Sequence, residues 1–104
     1  QLDMADYAKK SFGMFGGKEK TVKLLVDNRL AGVIIDRFGK DIMLIPADEN
    51  HFTVNVDVHV SKQFLGWVFS LGEQVKILSP EEVVEQMQGE VKRLVEQYDS
   101  RVKV

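Results

Sequence analysis

Catalysis and metal binding need titratable or nucleophilic side chains held close together, and this chain offers few of them. Its two histidines are His51 and His59, and it has no cysteine. No disulfide, thiolate metal site or thiol nucleophile can therefore form. Asp57 and His59 stand two apart, which puts them on one face of a strand, where a carboxylate could orient an imidazole as a general base. Such a pair would still need a nucleophile and an oxyanion donor. No GxSxG, HExxH or P-loop pattern supplies either. The residues therefore read as a polar surface pair. Asp48, Glu49 and His51 could in principle ligate a metal. Without an HxH or a helical i, i+4 spacing they read instead as a solvated hairpin turn. No catalysis, metal or cofactor is expected.

Anion binding has two starting points. Gly13, Gly16 and Gly17, followed by Lys18 and Lys20, resemble a phosphate cradle. They precede a strand and not a helix, so no helix N-terminus would point at the ligand, and a linker is the better reading. The second is charge distribution. The net charge is −2, which gives no global pull toward nucleic acid. Lys9, Lys10, Lys18, Lys20 and Lys23 nevertheless crowd the first part of the chain. Glu81, Glu82, Glu85, Glu90, Glu96 and Asp99 load the last helix. Solvated faces account for this, with a basic rim for an anionic ligand as the alternative.

The elements that must position these groups follow from periodicity. Residues 1–20 read as a tether whose glycines break any regular element, with Tyr7, Phe12 and Phe15 packing on a neighbouring surface. Thr21–Val26 is a strand with Val22, Leu24 and Val26 on one face and Lys23 and Leu25 on the other. Asn28 caps a helix running to Phe38, with Leu30, Val33, Ile34 and Phe38 inward and Gly39 as its stop. Ile42–Pro46 is a short strand, and Asp48, Glu49 and Asn50 turn the chain into the next one. In that strand Phe52, Val54, Val56, Val58 and Val60 alternate with Thr53, Asn55, Asp57 and His59, so one face is covered and the other polar.

Residues 61–82 hold a second helix, a strand and the start of a third helix. Ser61 caps the second helix, whose stripe is Phe64, Leu65 and Val68, and Gly72 stops it. Gln74–Leu78 is the strand. Ser79, Pro80 and Glu82 then spell a capping box for the last helix, which carries Val83, Val84, Met87, Val91, Leu94, Val95 and Tyr98 at helical spacing. Gly66 inside the second helix is explained by close approach of another backbone, as are Gly32 and Gly89. Trp67 reads as a core or half-buried aromatic.

The order is β-α-β-β-α-β plus a helix: an α+β, ferredoxin-like sandwich over residues 21–104. Its exposed sheet face should display Lys23, Leu25, Thr53, Asn55, Asp57, His59, Gln74 and Lys76. Of these, Lys23, Asn55, His59 and Lys76 are the candidate ligand or partner contacts. No aromatic stands there, so stacking of single-stranded bases is not expected. No apolar run is long enough to span a bilayer and no signal peptide is visible, so a cytoplasmic protein is expected. The chain begins at Gln1, which reads as a fragment of a larger protein.

Phe12-Gly13-Met14-Phe15-Gly16, Thr21-Val22-Lys23-Leu24, Ile35-Asp36-Arg37-Phe38-Gly39, Phe64-Leu65-Gly66-Trp67 and Val75-Lys76-Ile77-Leu78-Ser79-Pro80 together resemble the C-terminal part of WYL-domain transcriptional regulators. In that family a winged helix-turn-helix precedes a small barrel with a Trp-Tyr-Leu motif, and a ferredoxin-like extension, the WCX domain, comes last. The resemblance implies a bacterial effector-sensing and dimerising module. Its partners would be the upstream barrel and helix-turn-helix, a second copy of itself and a nucleotide or oligonucleotide effector. DNA would be met only through the missing N-terminal domain. No barrel residue can be carried over. Arg29 and Arg37 are the positions expected to face an anion or the partner domain, with a surface pair to Asp36 or Asp41 as the alternative for Arg37. A free-standing amino-acid-binding module of the ACT type, with a ligand near Asp27-Asn28-Arg29, shares the same element order.

Overall fold

Strict alternation of valines with polar residues builds the frame of the molecule. In the computed structural model, which describes residues 3–13 and 16–101, four strands form one antiparallel sheet. They are β1 (Lys18–Asp27), β2 (Ile45–Pro46), β3 (His51–Val60) and β4 (Val75–Ser79), in the order β2-β3-β1-β4. The central pair is in register from Lys18 opposite Val60 to Asp27 opposite His51. Val22, Leu24 and Val26 of β1 and Phe52, Val54, Val56, Val58 and Val60 of β3 are all buried on one face. Each such side chain contributes about 1.5–3 kcal/mol by leaving water.

Four α-helices accompany the sheet: α1 (Met4–Gly13), α2 (Ala31–Phe38), α3 (Lys62–Ser70) and α4 (Glu81–Gln97). Leaving α1 aside, the order and the sheet topology are those of a ferredoxin-like α+β fold, as the patterning predicts. Ile34 and Phe38 of α2 and Phe64, Leu65 and Val68 of α3 are buried with the sheet valines in one core. Val33 is turned outward and not inward: Ile34 and Phe38, one turn apart, set the buried face of α2, and Val33 lies to the side of it.

Several local expectations are corrected. The segment read as a tether contains α1, which packs against β3 and α2 and buries Ala8 and Phe12. Its glycines fall at and after the helix end, so they terminate the helix without preventing it. Tyr7 is exposed, and Met14 and Phe15 lie outside the described residues. The cap of the first turn is Asp27, whose carboxylate accepts from the Arg29 N–H, while Asn28 donates its side-chain amide to the Glu49 carbonyl. β2 is two residues long because Ile42 and Leu44 turn onto the core and leave the sheet. Ser79 belongs to β4 and does not cap α4, and Glu82 reaches Lys20 at 2.7 Å without closing a capping box. Ser61 does cap α3: its hydroxyl accepts from the Phe64 N–H.

Candidate functional site

The polar face of the sheet gathers three of the six predicted contact residues. Cross-strand pairing sets Lys23 opposite Asn55 and Leu25 opposite both Thr53 and Lys76. Lys23, Asn55 and Lys76 are exposed, and neither lysine meets a carboxylate among the described residues. Two unpaired ammonium groups beside an amide make a surface that can hold an anion by charge and hydrogen bonding. No aromatic of the described strands stands on this face, so it offers no stacking platform.

The other three predicted residues stand apart from this group. His59 is on the same face but near its far end, opposite Glu19, where its Nδ1–H donates to the Gly17 carbonyl at 3.2 Å. Its ring also packs against Gly13, where an added Cβ would sit 2.8 Å from the imidazole. His59 therefore ties the α1–β1 junction to the sheet. Asp57 accepts instead from the Thr21 hydroxyl, so the Asp57–His59 base pair does not form. Arg29 sits at the opposite end of β1, bonded through Nε and Nη2 to the Asp27 carboxylate at 3.0 and 2.9 Å. Hydrogen bonds from the Arg29 side chain, then its backbone N–H, hold the Asp27 carboxyl down at about 2.

Arg37 is on the helical layer, away from the sheet's polar face. Its guanidinium lies over the rings of Phe12 and Trp67, 5.0 and 5.4 Å from their centroids. No carboxylate pairs with it among the described residues, so neither Asp36 nor Asp41 is its partner. The rings belong to a cluster in which Phe12 of α1, Phe38 of α2 and Trp67 of α3 meet, with Phe12 edge-on to Phe64 at 5.3 Å. Cation–π contact in such a half-buried place is worth about 1 kcal/mol. Arg37 is thus a structural clamp on α1. No local sequence pattern marks this role, because the rings that Arg37 covers come from α1 and α3.

Elsewhere, His51 Nδ1 lies 2.9 Å from Asp48, and the hairpin-turn reading holds. The backbone N–H of Asn50, then the His51 ring, lower the Asp48 carboxyl. The described residues contain no cluster of three or more metal-ligating side chains. Gly32, Gly66 and Gly89 have nothing within 4 Å of an added Cβ, so no neighbouring backbone of this chain explains them. No helix is long and apolar enough to cross a membrane among the described residues.

The apolar stripe of the last helix, expected from its spacing to bury against the domain, another domain or a second copy, borders one surface, between α3 and α4. Phe69, Val91, Val95 and Tyr98 are exposed along it, and Val95 is 62% and Tyr98 78% accessible. The radius of gyration, 14.8 Å, exceeds the about 13 Å expected for a compact chain of this length. Only Val83 of α4 is fully buried, and the helix packs principally on β4.

A ferredoxin-like sheet with one covered and one polar face, extended by a C-terminal helix, defines an α+β module with no assembled catalytic constellation among the described residues. The family model of the WCX domain matches residues 18–95, from the first residue of β1 into the last turn of α4. The chain belongs to the WCX domain family. No curated protein matches it. α1 lies outside the matched residues although its side chains enter the core.

Proposed function

We propose that this domain is the C-terminal effector-sensing and dimerisation part of a WYL-type winged helix-turn-helix transcriptional regulator of the bacterial cytoplasm, and that it performs no catalysis. The observation that carries the reading is the WCX match over residues 18–95. The polar sheet face, with Lys23, Asn55 and Lys76 side by side, supports contact with an anionic effector such as a nucleotide or oligonucleotide held by the adjoining barrel. Attraction there would be electrostatic and salt-dependent. The exposed stripe of Val91, Val95 and Phe69 supports self-association with a second copy. Effector binding would then shift the balance between two arrangements of the upstream domains.

Light scattering on the eluting chain tests the assembly half of the reading. A dimer that Val95→Asp converts to a folded monomer is the expected result. A monomer at all accessible concentrations overturns self-association through this domain. In the intact regulator, a Lys23→Glu, Lys76→Glu double variant should weaken effector response while leaving DNA binding without effector unchanged. An unaltered response overturns the sensing half.

A further inference from the structure

The outer edge of β3 is only partly used. β2 pairs with Phe52 and Thr53 and then leaves the sheet. The His51 carbonyl accepts from the Ala47 N–H at 2.9 Å on this side, so the odd-numbered residues of β3 aim their main-chain groups at the outer edge. Asn55 and Asp57 are the next two, and no hydrogen bond from any described residue outside the strands reaches their N–H or C=O groups there. Farther along, α1 closes the edge with Ala8 and Phe12.

A cleft of about 760 Å³ opens at this place, walled by the first turns of α1, the segment 39–42 and β3 at residues 55–57. Its volume is in the range of sites that bury a small ligand or a few side chains. One side is apolar, with Met4, Phe38 and Ile42. Its charged lining is Asp3, Asp6, Asp36, Asp41 and Asp57 against Lys9 and Lys40. Lys9 is already held by Glu19 at 2.9 Å. The cleft is therefore anionic, which repels the anionic effector proposed for the open sheet face.

We propose that this cleft takes an extended basic peptide segment, which adds as a short strand in line with β2 and pairs with the main chain of Asn55 and Asp57. Alternate side chains of an added strand point to opposite sides. Aliphatic ones would enter the Met4–Ile42 wall and lysine or arginine ones would meet the carboxylates. Main-chain pairing supplies affinity, and the charge selects basic over acidic segments. The inference differs from the effector and dimer readings in its site: it borders the open sheet face at Asn55 and Asp57 but uses their main chain at the strand edge, and it does not use α4.

The test is amide NMR of the whole chain with a blocked hexapeptide of alternating lysine and valine. Shifts and slowed hydrogen exchange at the Asn55 and Asp57 amides are expected. Asp36→Asn with Asp41→Asn should weaken binding by up to about tenfold, the sum of two exposed ion pairs. An alternating glutamate–valine peptide should not bind. Neither should the lysine peptide N-methylated at every second residue, which keeps charge but cannot pair. Equal binding of the methylated peptide would mean charge attraction alone and would overturn strand addition. Silence at Asn55 and Asp57 overturns the site. Concentration-dependent shifts there without peptide would make a second copy the occupant, and that too overturns it.

Discussion

The two terminal helices make opposite use of the same sheet. α1, ten residues long, lies against β3 and buries Ala8 and Phe12, and Arg37 closes over it. α4 is seventeen residues long with a far clearer apolar stripe, and only Val83 is fully buried. Strength of periodicity therefore does not measure how much of a helix the domain consumes. A weak stripe fully engaged holds more than a strong one left open. Phe12→Ala should consequently be the most damaging single change in either helix, losing about 3–5 kcal/mol, a large share of the total for a domain of this size. Val95→Ala should stay within about 0.5 kcal/mol, being an exposed site. Chemical denaturation of both variants measures the contrast, and equal losses would break it.

Ser61 sharpens the same comparison at one atom. Its buried hydroxyl accepts from the Phe64 N–H, capping α3, and donates to the Phe12 carbonyl at 2.9 Å. One side chain thus joins the end of α1 to the start of α3. Ser61→Ala removes both bonds and should lose about 1–3 kcal/mol. Ser61→Gly costs only a few tenths of a kcal/mol as a cap, so any larger loss reports the α1 bond alone. If glycine and serine are equally stable, α1 is not held through this contact.

The contrast also explains what could be read from the residues beforehand. Phe52–Val60 alternates without a fault, and the strand, its buried face and its polar face were legible because period 2 admits one reading. The Ser61 cap was legible because its donor, the Phe64 N–H, belongs to the helix that follows it directly. α1 was not, since Ala8 and Phe12 are only two apolar anchors among lysines and glycines. Asp3, whose carboxylate accepts from the Ala5 N–H, was the available signal, with Met4, Ala8 and Phe12 following at steps of four. Of the contact residues, alternation alone places Lys23, Asn55 and Lys76 on the open face. It could not place Arg37, because its partners are rings three elements apart in sequence, which no local pattern encodes. β2 is shorter than its apolar run suggests because Ile42 and Leu44 are apolar for the core and not for the sheet.

Gly66 gives a smaller effect with more to say about the open side. It is an exposed residue inside α3, where an added Cβ meets nothing. Gly66→Ala should stabilise the monomeric fold by about 0.5–1 kcal/mol through the unfolded chain and helix propensity. Gly66 also borders the groove with Phe69, Met87 and Val91. A higher Tm together with weaker self-association would place a second copy in close contact at this glycine. A higher Tm with unchanged association would leave α4 alone as the contact. A lower Tm would contradict the open surroundings.

Acid should separate the two helices by the smallest margin. The Glu82 carboxyl in the first turn of α4 is held below its usual value of 4.5 by a hydrogen bond from Lys20, then by the charge of the same lysine. A folded-state value below the unfolded one stabilises above the unfolded value and is lost as pH falls through the folded one. The pair is exposed, so its share is small and screened by salt. Glu82→Gln should therefore be slightly less stable than the parent chain at about pH 6, and the difference should close on titration toward about pH 3. The Phe12→Ala deficit contains no titrating group and should persist across the same range. If the Phe12→Ala deficit closed in acid as well, α1 would be held by charge and not by the ring cluster around Trp67. If the Glu82→Gln difference stayed flat, Lys20 would not be supporting α4, and the fixing of that helix would fall to Val83 and its apolar neighbours alone.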